Sequence, residues 1–304
     1  MKPAVSVIIP TYRRDDSLCR TLEMLLAQDW RDFELVVVDQ SPRHNEETER
    51  YLERIRDKIL YIKSPNPNLP AARNTGVRAS SGAIVVFFDD DIQVPPFTLT
   101  QLVNSFNDPR VDGVTGFVVF DTGPGGVVRS VSFEKHYRNH DNSYQLIPVH
   151  DFIGGFMSFR RNVFEQVGFF DEWVGSQPTA RGEDFEFCRR VHVAGRRLFL
   201  NPAISVTHEP ALPGGCGAAS VPLHERQFLI LRIRFYAYLK NRRREGLRGF
   251  APAIYRCYRS HILNRSILTF DPRFHYRRHQ QFVRAMRFAL HAARERNVFR
   301  PPPQ

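Results

Sequence analysis

Three consecutive carboxylates, Asp89, Asp90 and Asp91, follow the apolar run Val85–Phe88 and precede Pro95. A short apolar run between a glycine and a proline is typical of a strand buried on both faces of a parallel sheet. The acids then lie at its carboxyl end, where open α/β sheets bind ligands. Adjacent carboxylates repel one another unless a cation or hydrogen bonds hold them, and hard oxygen ligands suit Mg²⁺ or Mn²⁺ completed by substrate phosphates. The triplet therefore predicts a divalent-metal and phosphate site; the alternative is a solvated acidic turn.

A further acid, Asp39, ends the apolar run Phe33–Val38. A carboxylate there can accept a hydrogen bond from the imino N–H of uracil or thymine. Together with the acid triplet it would accommodate a nucleoside diphosphate laid across the sheet edge. The alternative is an acid that caps a turn. The first strand–helix turn lacks the GxGxxG and GxxxxGK[ST] fingerprints, which argues against dinucleotide and ordinary ATP binding.

The elements that must position these acids alternate between strands and helices. Val5–Ile9 is a β-branched run that ends in a polar loop, and leucines at helical spacing from Leu18 onward mark a helix after it. Helix-prone residues 46–57, the strand-like run Ile59–Ile62 and a helix opening near Pro70 precede the acid triplet. This order predicts an α/β fold with a doubly wound, mostly parallel, Rossmann-like sheet.

Composition excludes several classes of protein. The 304 residues, 42% of them hydrophobic, suffice for one large domain with an appendage. The net charge of +11 is uneven, because residues 222–304 carry 19 Lys/Arg against 4 Asp/Glu. The 4 scattered cysteines form no CxxC pair, which argues against a zinc site or a disulfide framework. No signal-peptide core and no run of about 18 apolar residues is present, so we expect a cytoplasmic protein or one held peripherally at the cytosolic face of a membrane.

Seven blocks of the chain, in order, resemble those of family 2 glycosyltransferases with the GT-A fold. They are Val5–Arg14 (VSVIIPTYRR), Val36–Ser41 (VVVDQS), Leu69–Val77 (LPAARNTGV), Phe88–Pro95 (FDDDIQVP), Phe152–Phe156 (FIGGF), Gly168–Glu172 (GFFDE) and Gly182–Arg189 (GEDFEFCR). The resemblance covers about residues 4–210. It implies transfer of a sugar from a nucleotide diphosphate donor to an acceptor hydroxyl, with inversion at the anomeric carbon. Many members have Asp-Asp-Gly-Ser where this chain has Asp39-Gln40-Ser41.

Sugar transfer requires neutralisation of the departing nucleoside diphosphate, which a metal bridging its phosphates provides. We choose Asp89 and Asp91 as ligands of Mn²⁺ or Mg²⁺, because alternation along an extended chain points both the same way. Asp90 then turns toward the ribose or a backbone amide. His208 follows the β-branched run Ile204–Thr207, and the resemblance implies a metal-binding histidine there; a histidine after a strand is otherwise structural.

Arg73 lies in the first turn of its predicted helix. Its guanidinium would reach the donor sugar or phosphate, or it would form a surface salt bridge. We assign nucleotide-sugar binding to Pro10, Thr11, Tyr12, Arg13, Asp39, Arg73, Asp89 and Asp90.

An acceptor hydroxyl needs a general base to become a good nucleophile. Asp184 follows a glycine at the start of a predicted helix, and the resemblance implies that it is the base, with Glu183 holding an acceptor hydroxyl or orienting the loop. Acids in a first helical turn are also favoured by the helix dipole alone. Further acceptor contacts are assigned to Gly154 and Gly155, which permit close backbone approach, and to Trp173, which would stack on an acceptor ring or pack in the core.

The predicted catalytic domain spans residues 1–215, with a nucleotide-sugar half of about 1–110 and an acceptor half of about 111–215, and a basic helical extension spans 216–304. Amphipathic helices over 222–240 and 274–296 would lie on an anionic membrane surface near a lipid-linked acceptor, or would pack on the catalytic domain. Nucleic-acid binding has no recognised motif to support it. The aperiodic segments 121–150 and 209–220 are candidate lids.

The sequence therefore predicts an inverting, metal-dependent hexosyl- or deoxyhexosyltransferase with a UDP- or dTDP-sugar donor. Its acceptor would be a glycan or lipid-linked glycan in cell-surface polysaccharide synthesis. The alternative is a non-catalytic protein of the same fold that binds a membrane surface or nucleic acid through its basic tail. A nucleotidyltransferase is disfavoured because the loop after the first strand, Pro10–Arg14, contains no glycine.

Overall fold

Four parallel strands in the order β3-β2-β1-β4 form the first half of a sheet. The computed structural model describes residues 2–121, 127–129, 145–177, 182–209, 223–262 and 272–298. The four strands are β1 (Val5–Thr11), β2 (Phe33–Asp39), β3 (Leu60–Lys63) and β4 (Ile84–Phe88). The helices between them are α1 (Asp16–Leu26), α2 (Glu46–Arg54) and α3 (Leu69–Ala79). This is the strand–helix alternation that the apolar runs predict.

The second half of the sheet continues from β4 in the order β9-β6-β10-β5. Its strands are β5 (Ile92–Gln93), β6 (Gly113–Asp121), β7 (Val127–Arg129), β8 (Ile147–Val149), β9 (Phe156–Arg160) and β10 (Leu198–His208). Its helices are α4 (Thr98–Ser105), α5 (Arg161–Val167), α6 (Glu172–Gly175) and α7 (Glu183–Val193). The strand β9 runs antiparallel between β4 and β6, whereas β10 is parallel to β6.

The core lies on both faces of this sheet, as continuous apolar strands require. On β1, Val7 and Ile9 pack into one hydrophobic cluster and Ile8 into the other, because successive side chains of a strand point to opposite faces. On β4, Val86 and Phe88 pack into the first of these clusters and Phe87 packs into the second. The acid triplet therefore emerges from a strand that is fully buried, and the α/β fold class is confirmed.

Two long helices follow the sheet domain, α8 (Leu223–Ile262) and α9 (Pro272–Glu295). Helical backbone is broken inside α8 at Gly246, where φ is +65°. The apolar side chains of both helices, among them Phe235 and Phe282, pack against each other and against Val174 of the sheet domain. Their apolar faces are thus used within the protein. Among the described helices, none contains an apolar stretch long enough to cross a membrane.

The two candidate lids fall largely outside the described residues. Segment 121–150 is described only at 121, 127–129 and 145–150, and segment 209–220 only at Glu209. The predicted boundary at 215/216 also lies outside the described residues, so it stays a prediction.

Candidate active site

The acid triplet leaves β4 at the carboxyl edge of the parallel strands, and the next residues, Ile92 and Gln93, form β5. The strand β5 pairs antiparallel with the end of β10, placing His208 opposite Ile92. This pairing brings His208 Nε2 to 3.4 Å from Asp91 Oδ1. Ligand atoms of Asp89, Asp91 and His208 all lie within 4.8 Å of one another. Residues 117 or more positions apart in the chain therefore converge on one point.

The chemistry of these three side chains fits a divalent cation. Asp91 Oδ1 is buried and accepts no hydrogen bond within the described structure, although such an atom ordinarily has a partner. His208 Nδ1 lies 2.9 Å from the carbonyl oxygen of Glu209, which can only accept, so Nδ1 carries the proton and Nε2 keeps its lone pair in the neutral ring. Two carboxylates and one imidazole nitrogen form a donor set that Mn²⁺ and Mg²⁺ accept.

Asp90 turns away from these ligands. Its Oδ2 accepts a hydrogen bond of 2.6 Å from the hydroxyl of Thr11, at the end of β1. Burial, with a contribution from Asp91, raises the pKa of Asp90 to about 7. The structure thus separates Asp90 from Asp89 and Asp91, as alternation suggested, whereas contact between Asp90 and a ribose stays a prediction.

Arg73, from the first half of α3, is fully buried beneath the site. Its Nη1 donates to Glu183 Oε1 at 3.0 Å, and its Nη2 donates to Asp89 Oδ1 at 3.2 Å and to the carbonyl of Gly154 at 3.0 Å. The expectation of a surface salt bridge is wrong, because no part of this side chain reaches solvent. Arg73 instead links a metal-ligand candidate to the residue that precedes the expected base.

That base, Asp184, lies in the first turn of α7. Its Oδ2 accepts a hydrogen bond of 3.0 Å from the backbone N–H of Gly154, and its Oδ1 accepts one of 2.7 Å from the N–H of Phe185. The preceding residue, Glu183, is buried, and burial together with Asp184 raises its pKa. Glu183 is held by Arg73, and its role in holding an acceptor hydroxyl or in orienting the loop stays a prediction.

The glycine pair lies between the two groups of acids. A Cβ added at Gly154 would lie 3.3 Å from Arg73 Nη2 and 3.4 Å from Asp184 Oδ2. One added at Gly155 would lie 3.4 Å from His208 Cδ2, on the side of the metal ligands. The Gly155 carbonyl also accepts a hydrogen bond of 3.2 Å from the N–H of Asp89. The pair therefore lies between the candidate metal ligands and the candidate base, Asp184.

Asp39 ends β2 and is fully buried. Its Oδ2 accepts hydrogen bonds from His44, Tyr61 and Lys63, and its Oδ1 accepts one from the N–H of Ser41. Burial alone would raise the pKa of Asp39, but these donors outweigh it and hold that pKa well below its usual range. A base contact through Asp39 stays a prediction, and it would require one of these donors to give way or the free lone pair of Oδ1 to be used.

Comparison with known proteins agrees with this geometry. The profile of the family described as Glycosyl transferase family 2 matches residues 6–168, more than half of the chain. The chain belongs to glycosyl transferase family 2. It is therefore a glycosyltransferase, and membership disfavours the non-catalytic alternative.

This family 2 glycosyltransferase is similar to the glucosyl-dolichyl phosphate glucuronosyltransferase of Haloferax volcanii, with 28% identity over an alignment of 224 positions that covers 67% of this chain and 69% of the relative. Among solved structures it resembles residues 1–349 of S. aureus TarS in complex with UDP-GlcNAc, with a TM-score of 0.61, 18% identity and coverage of 94% of this chain and 79% of that TarS chain. It also resembles GalNAc-T7 with UDP, GalNAc and Mn²⁺, with a TM-score of 0.58, 16% identity and coverage of 85% and 55%. At such identities the two structures establish the GT-A fold.

One residue that the structure places at the candidate site, Arg14, was not identified from the sequence. Arg13, which we expected at the nucleotide, is exposed and has a left-handed backbone with φ of +53°. This turn directs the next residue, Arg14, inward, where it is 8% exposed and its Nη2 lies 3.1 Å from Asp91 Oδ2. Two adjacent arginines in a polar loop look equivalent in sequence, and only the backbone conformation separates them. The part of Pro10 and Tyr12 in nucleotide binding stays a prediction.

Trp173 lies in the contact between the sheet domain and the C-terminal helices. Its ring packs against Tyr236 at a centroid distance of 4.7 Å and against Phe288 at 6.1 Å, with the Arg296 guanidinium 5.0 Å from its centroid. These neighbours favour the packing role over stacking on an acceptor.

Proposed function

We propose that the protein transfers a hexosyl or deoxyhexosyl group, with inversion, from a UDP- or dTDP-sugar to a hydroxyl of a glycan or lipid-linked glycan. The observation that carries this proposal is the arrangement around the glycine pair. Three candidate metal ligands lie on the Gly155 side, and the carboxylate of Asp184 lies on the Gly154 side. A donor held at the first group would present its anomeric carbon toward the second.

On the donor side, Asp89, Asp91 and His208 would hold Mn²⁺ or Mg²⁺. The ion, when bound, neutralises the charge that develops on the departing diphosphate. Arg73 fixes the orientation of Asp89 by its hydrogen bond, and Thr11 does the same for Asp90. These side chains are preorganised, so little reorganisation is needed as the glycosidic bond breaks.

On the acceptor side, Asp184 acts as the general base. Hydrogen bonds from two backbone N–H groups hold its carboxylate in one orientation. As the acceptor oxygen forms its bond to the anomeric carbon, its proton passes to Asp184. The bond to the diphosphate oxygen breaks on the opposite face, and its electron pair leaves with the nucleoside diphosphate. A single displacement of this kind inverts the configuration at the anomeric carbon.

The proposed choice of nucleotide and acceptor is supported by the position of Asp39 and by similar proteins. Asp39 at the carboxyl edge of β2 suits a uracil or thymine, and TarS and GalNAc-T7 carry UDP-GlcNAc and UDP in their structures. The Haloferax volcanii relative is named for a dolichyl phosphate substrate, which supports a lipid-linked acceptor in glycan or cell-surface polysaccharide synthesis.

A lipid-linked acceptor would place the enzyme at the cytosolic face of a membrane. Exposed arginines of α8 and α9 would be attracted to an anionic lipid surface. These arginines are Arg256, Arg259, Arg277 and Arg287, and the side chains of Tyr255 and Tyr276 are exposed on the same helices. Because the apolar faces of these helices are packed inside the protein, the attraction would be electrostatic and would weaken with salt. We expect co-sedimentation with vesicles containing phosphatidylserine and none with pure phosphatidylcholine. Equal sedimentation with both would refute the proposal of surface binding.

The donor site is tested by thermal unfolding with UDP, dTDP, GDP and CDP, each with and without Mn²⁺. A ligand at about a hundredfold above its dissociation constant stabilises the folded state by about 2.7 kcal/mol. We expect UDP or dTDP to raise Tm only when the metal is present. Absence of a shift with every nucleotide would overturn the proposed donor.

The base is tested with Asp184→Asn, which preserves the side-chain shape. We expect transfer to fall by at least about a hundredfold, the usual contribution of a general base, with an unchanged nucleotide-dependent Tm shift. Asp108→Asn is the matched control, since Asp108 pairs with Arg110 in a surface turn. Full turnover by Asp184→Asn would remove Asp184 from the mechanism.

A further inference from the structure

The first C-terminal helix, α8, contacts the part of α7 that carries Asp184. Gly182, directly before α7, has a positive φ of +98°, and a Cβ added there would lie 3.1 Å from Ile233 Cγ2 of α8. Phe185, directly after Asp184, lies between two other α8 side chains, with the Arg234 guanidinium 4.9 Å and the Tyr238 ring 5.6 Å from its ring centroid. The residues on either side of Glu183 and Asp184 therefore touch α8.

An ion cluster joins the same surfaces. Asp171, just before α6, accepts hydrogen bonds from Tyr236 at 2.9 Å, Lys240 at 2.7 Å and Arg296 at 3.0 Å. Lys240 Nζ also lies 2.8 Å from Glu186 Oε1, in the first turn of α7. Lys240 is therefore one cation of α8 shared between two acids of the sheet domain.

Glu186 is anchored by hydrogen bonds that connect it to the segment before α6. Its side chain is fully buried and makes two bonds to Arg190, at 2.8 and 2.9 Å. Arg190 in turn donates to the carbonyl oxygens of Val167 and Phe169, ahead of Asp171. Burial opposes the charged form of Glu186, but Arg190 and Lys240 outweigh it and lower its pKa. Asp171 and Glu186 are thus two buried anions that would repel each other without Lys240.

We propose that α8 forms part of the catalytic apparatus and that Lys240 is a positioning residue for Asp184. This inference rests on the proposed function, because it assigns an effect on transfer. Loss of Lys240 would remove the one cation that Asp171 and Glu186 share, although each keeps its own arginine, and would let the first turn of α7 shift away from Asp171. The hydrogen bond between Asp184 and Gly154 would then loosen, and the base would leave its place beside the donor. Displacement of a reacting group by about 1 Å costs up to about a hundredfold in rate.

The test compares Lys240→Met with Lys240→Arg. Methionine removes the charge and keeps the length, whereas arginine can still bridge two carboxylates. We expect Lys240→Met to lower kcat by about ten- to a hundredfold with donor KM within about twofold of wild type, and Lys240→Arg to recover most of kcat. Arg294→Met, at an exposed position of α9, is the control and should leave kcat unchanged.

Hydrogen exchange gives a reading that does not depend on turnover. In Lys240→Met we expect faster exchange of the amides of residues 183–187, with no change in β1 and β4. The metal-dependent nucleotide shift in Tm should persist, because the described side-chain hydrogen bonds and ion pairs of Asp89, Asp91 and His208 go to Arg73, Arg14 and Glu209 and none to α8.

Two outcomes would overturn the inference. One is Lys240→Met with wild-type kcat and wild-type exchange. The other is a loss of kcat that Lys240→Arg does not recover and that accompanies an equal fall in the nucleotide shift, since this would indicate general misfolding. A wild-type protein that binds no nucleotide would instead refute the proposed donor, and the exchange experiment would still decide whether Lys240 holds α7.

Discussion

Arg73→Met keeps most of the side-chain volume at a fully buried position and removes its charge. Two carboxylates then lose their partner: Glu183, whose Oε1 lies 3.0 Å from Nη1, and Asp89, whose Oδ1 lies 3.2 Å from Nη2. Breaking a buried pair by removal of one partner costs about 3–5 kcal/mol, so we expect the free energy of unfolding to fall by that amount. At about 2–4 °C per kcal/mol in proteins of comparable size, Tm should fall by about 6–20 °C.

The loss should depend on pH. Burial and Asp184 raise the pKa of Glu183, and Arg73 acts against them, so this pKa rises further in Arg73→Met. A carboxyl group with a raised pKa takes up a proton on folding, and its contribution to stability therefore falls as pH increases above the ordinary glutamate range. We expect the Tm difference between wild type and Arg73→Met, measured without metal, to be larger at about pH 8 than at about pH 5.5.

The control is Arg78→Met on the same helix. Arg78 is 54% exposed and lies 3.8 Å from Glu172, and such surface pairs contribute about 0–1 kcal/mol. The double variant Arg73→Met/Glu183→Gln should regain part of the lost stability, because one uncompensated charge is removed, while transfer stays low. Equal Tm losses for Arg73→Met and Arg78→Met would refute the reasoning, and so would a double variant less stable than Arg73→Met.

Three further predictions concern separate parts of the molecule. His208→Ala should lose the Mn²⁺-dependent part of the UDP shift in Tm and keep the metal-free Tm within about 2 °C; an unchanged Mn²⁺ response would exclude His208 as a ligand. Gly182→Ala and Gly195→Ala both place a Cβ at positive φ, which lowers the free energy of unfolding by about 1–2 kcal/mol in each case. Only the Cβ at 182 would also press on Ile233, so Gly182→Ala should lose more stability in urea and should alone lower transfer; equal losses would contradict the Ile233 contact. Burial opposes the charged form of His44, but the carboxylates on either side raise its pKa, so its contribution to stability is present at low pH and lost as pH rises through that value. His44→Gln should therefore lower Tm more at about pH 5.5 than at about pH 8.5, and a pH-independent loss would indicate a neutral ring.

The first half of the fold was predictable because apolar residues dominate β1, β2 and β4. Most side chains on both faces of these strands are buried, and only Ser6 and Glu34 interrupt the apolar runs before their polar ends. The second half was harder to predict. The antiparallel insertion of β9 between β4 and β6 depends on pairing between segments about 70 residues apart, which no local pattern reports.

The C-terminal extension shows the same division. Helical spacing of apolar residues predicted two amphipathic helices, and both are present. The spacing could not decide what covers their apolar faces, since a membrane surface and a protein surface bury the same side chains. The structure places Phe235, Phe282 and Trp173 in one hydrophobic cluster, so side chains of the protein itself cover the apolar faces of these helices.

The sequence by itself determined which side chains are available for chemistry. These side chains lie at the ends of predicted strands or at the start of a predicted helix, so local sequence patterns identify them. They are the acids at 89 and 91, the His208 imidazole and the acid pair at 183 and 184. Tertiary structure alone decided their partners. It buried Arg73 between Asp89 and Glu183, turned Arg14 inward in place of Arg13, and brought Lys240 to the helix that carries Asp184. The physical reason is that charge compensation in a buried site depends on distances of about 3 Å between residues far apart in the chain, and those distances exist only once the sheet and the C-terminal helices have packed.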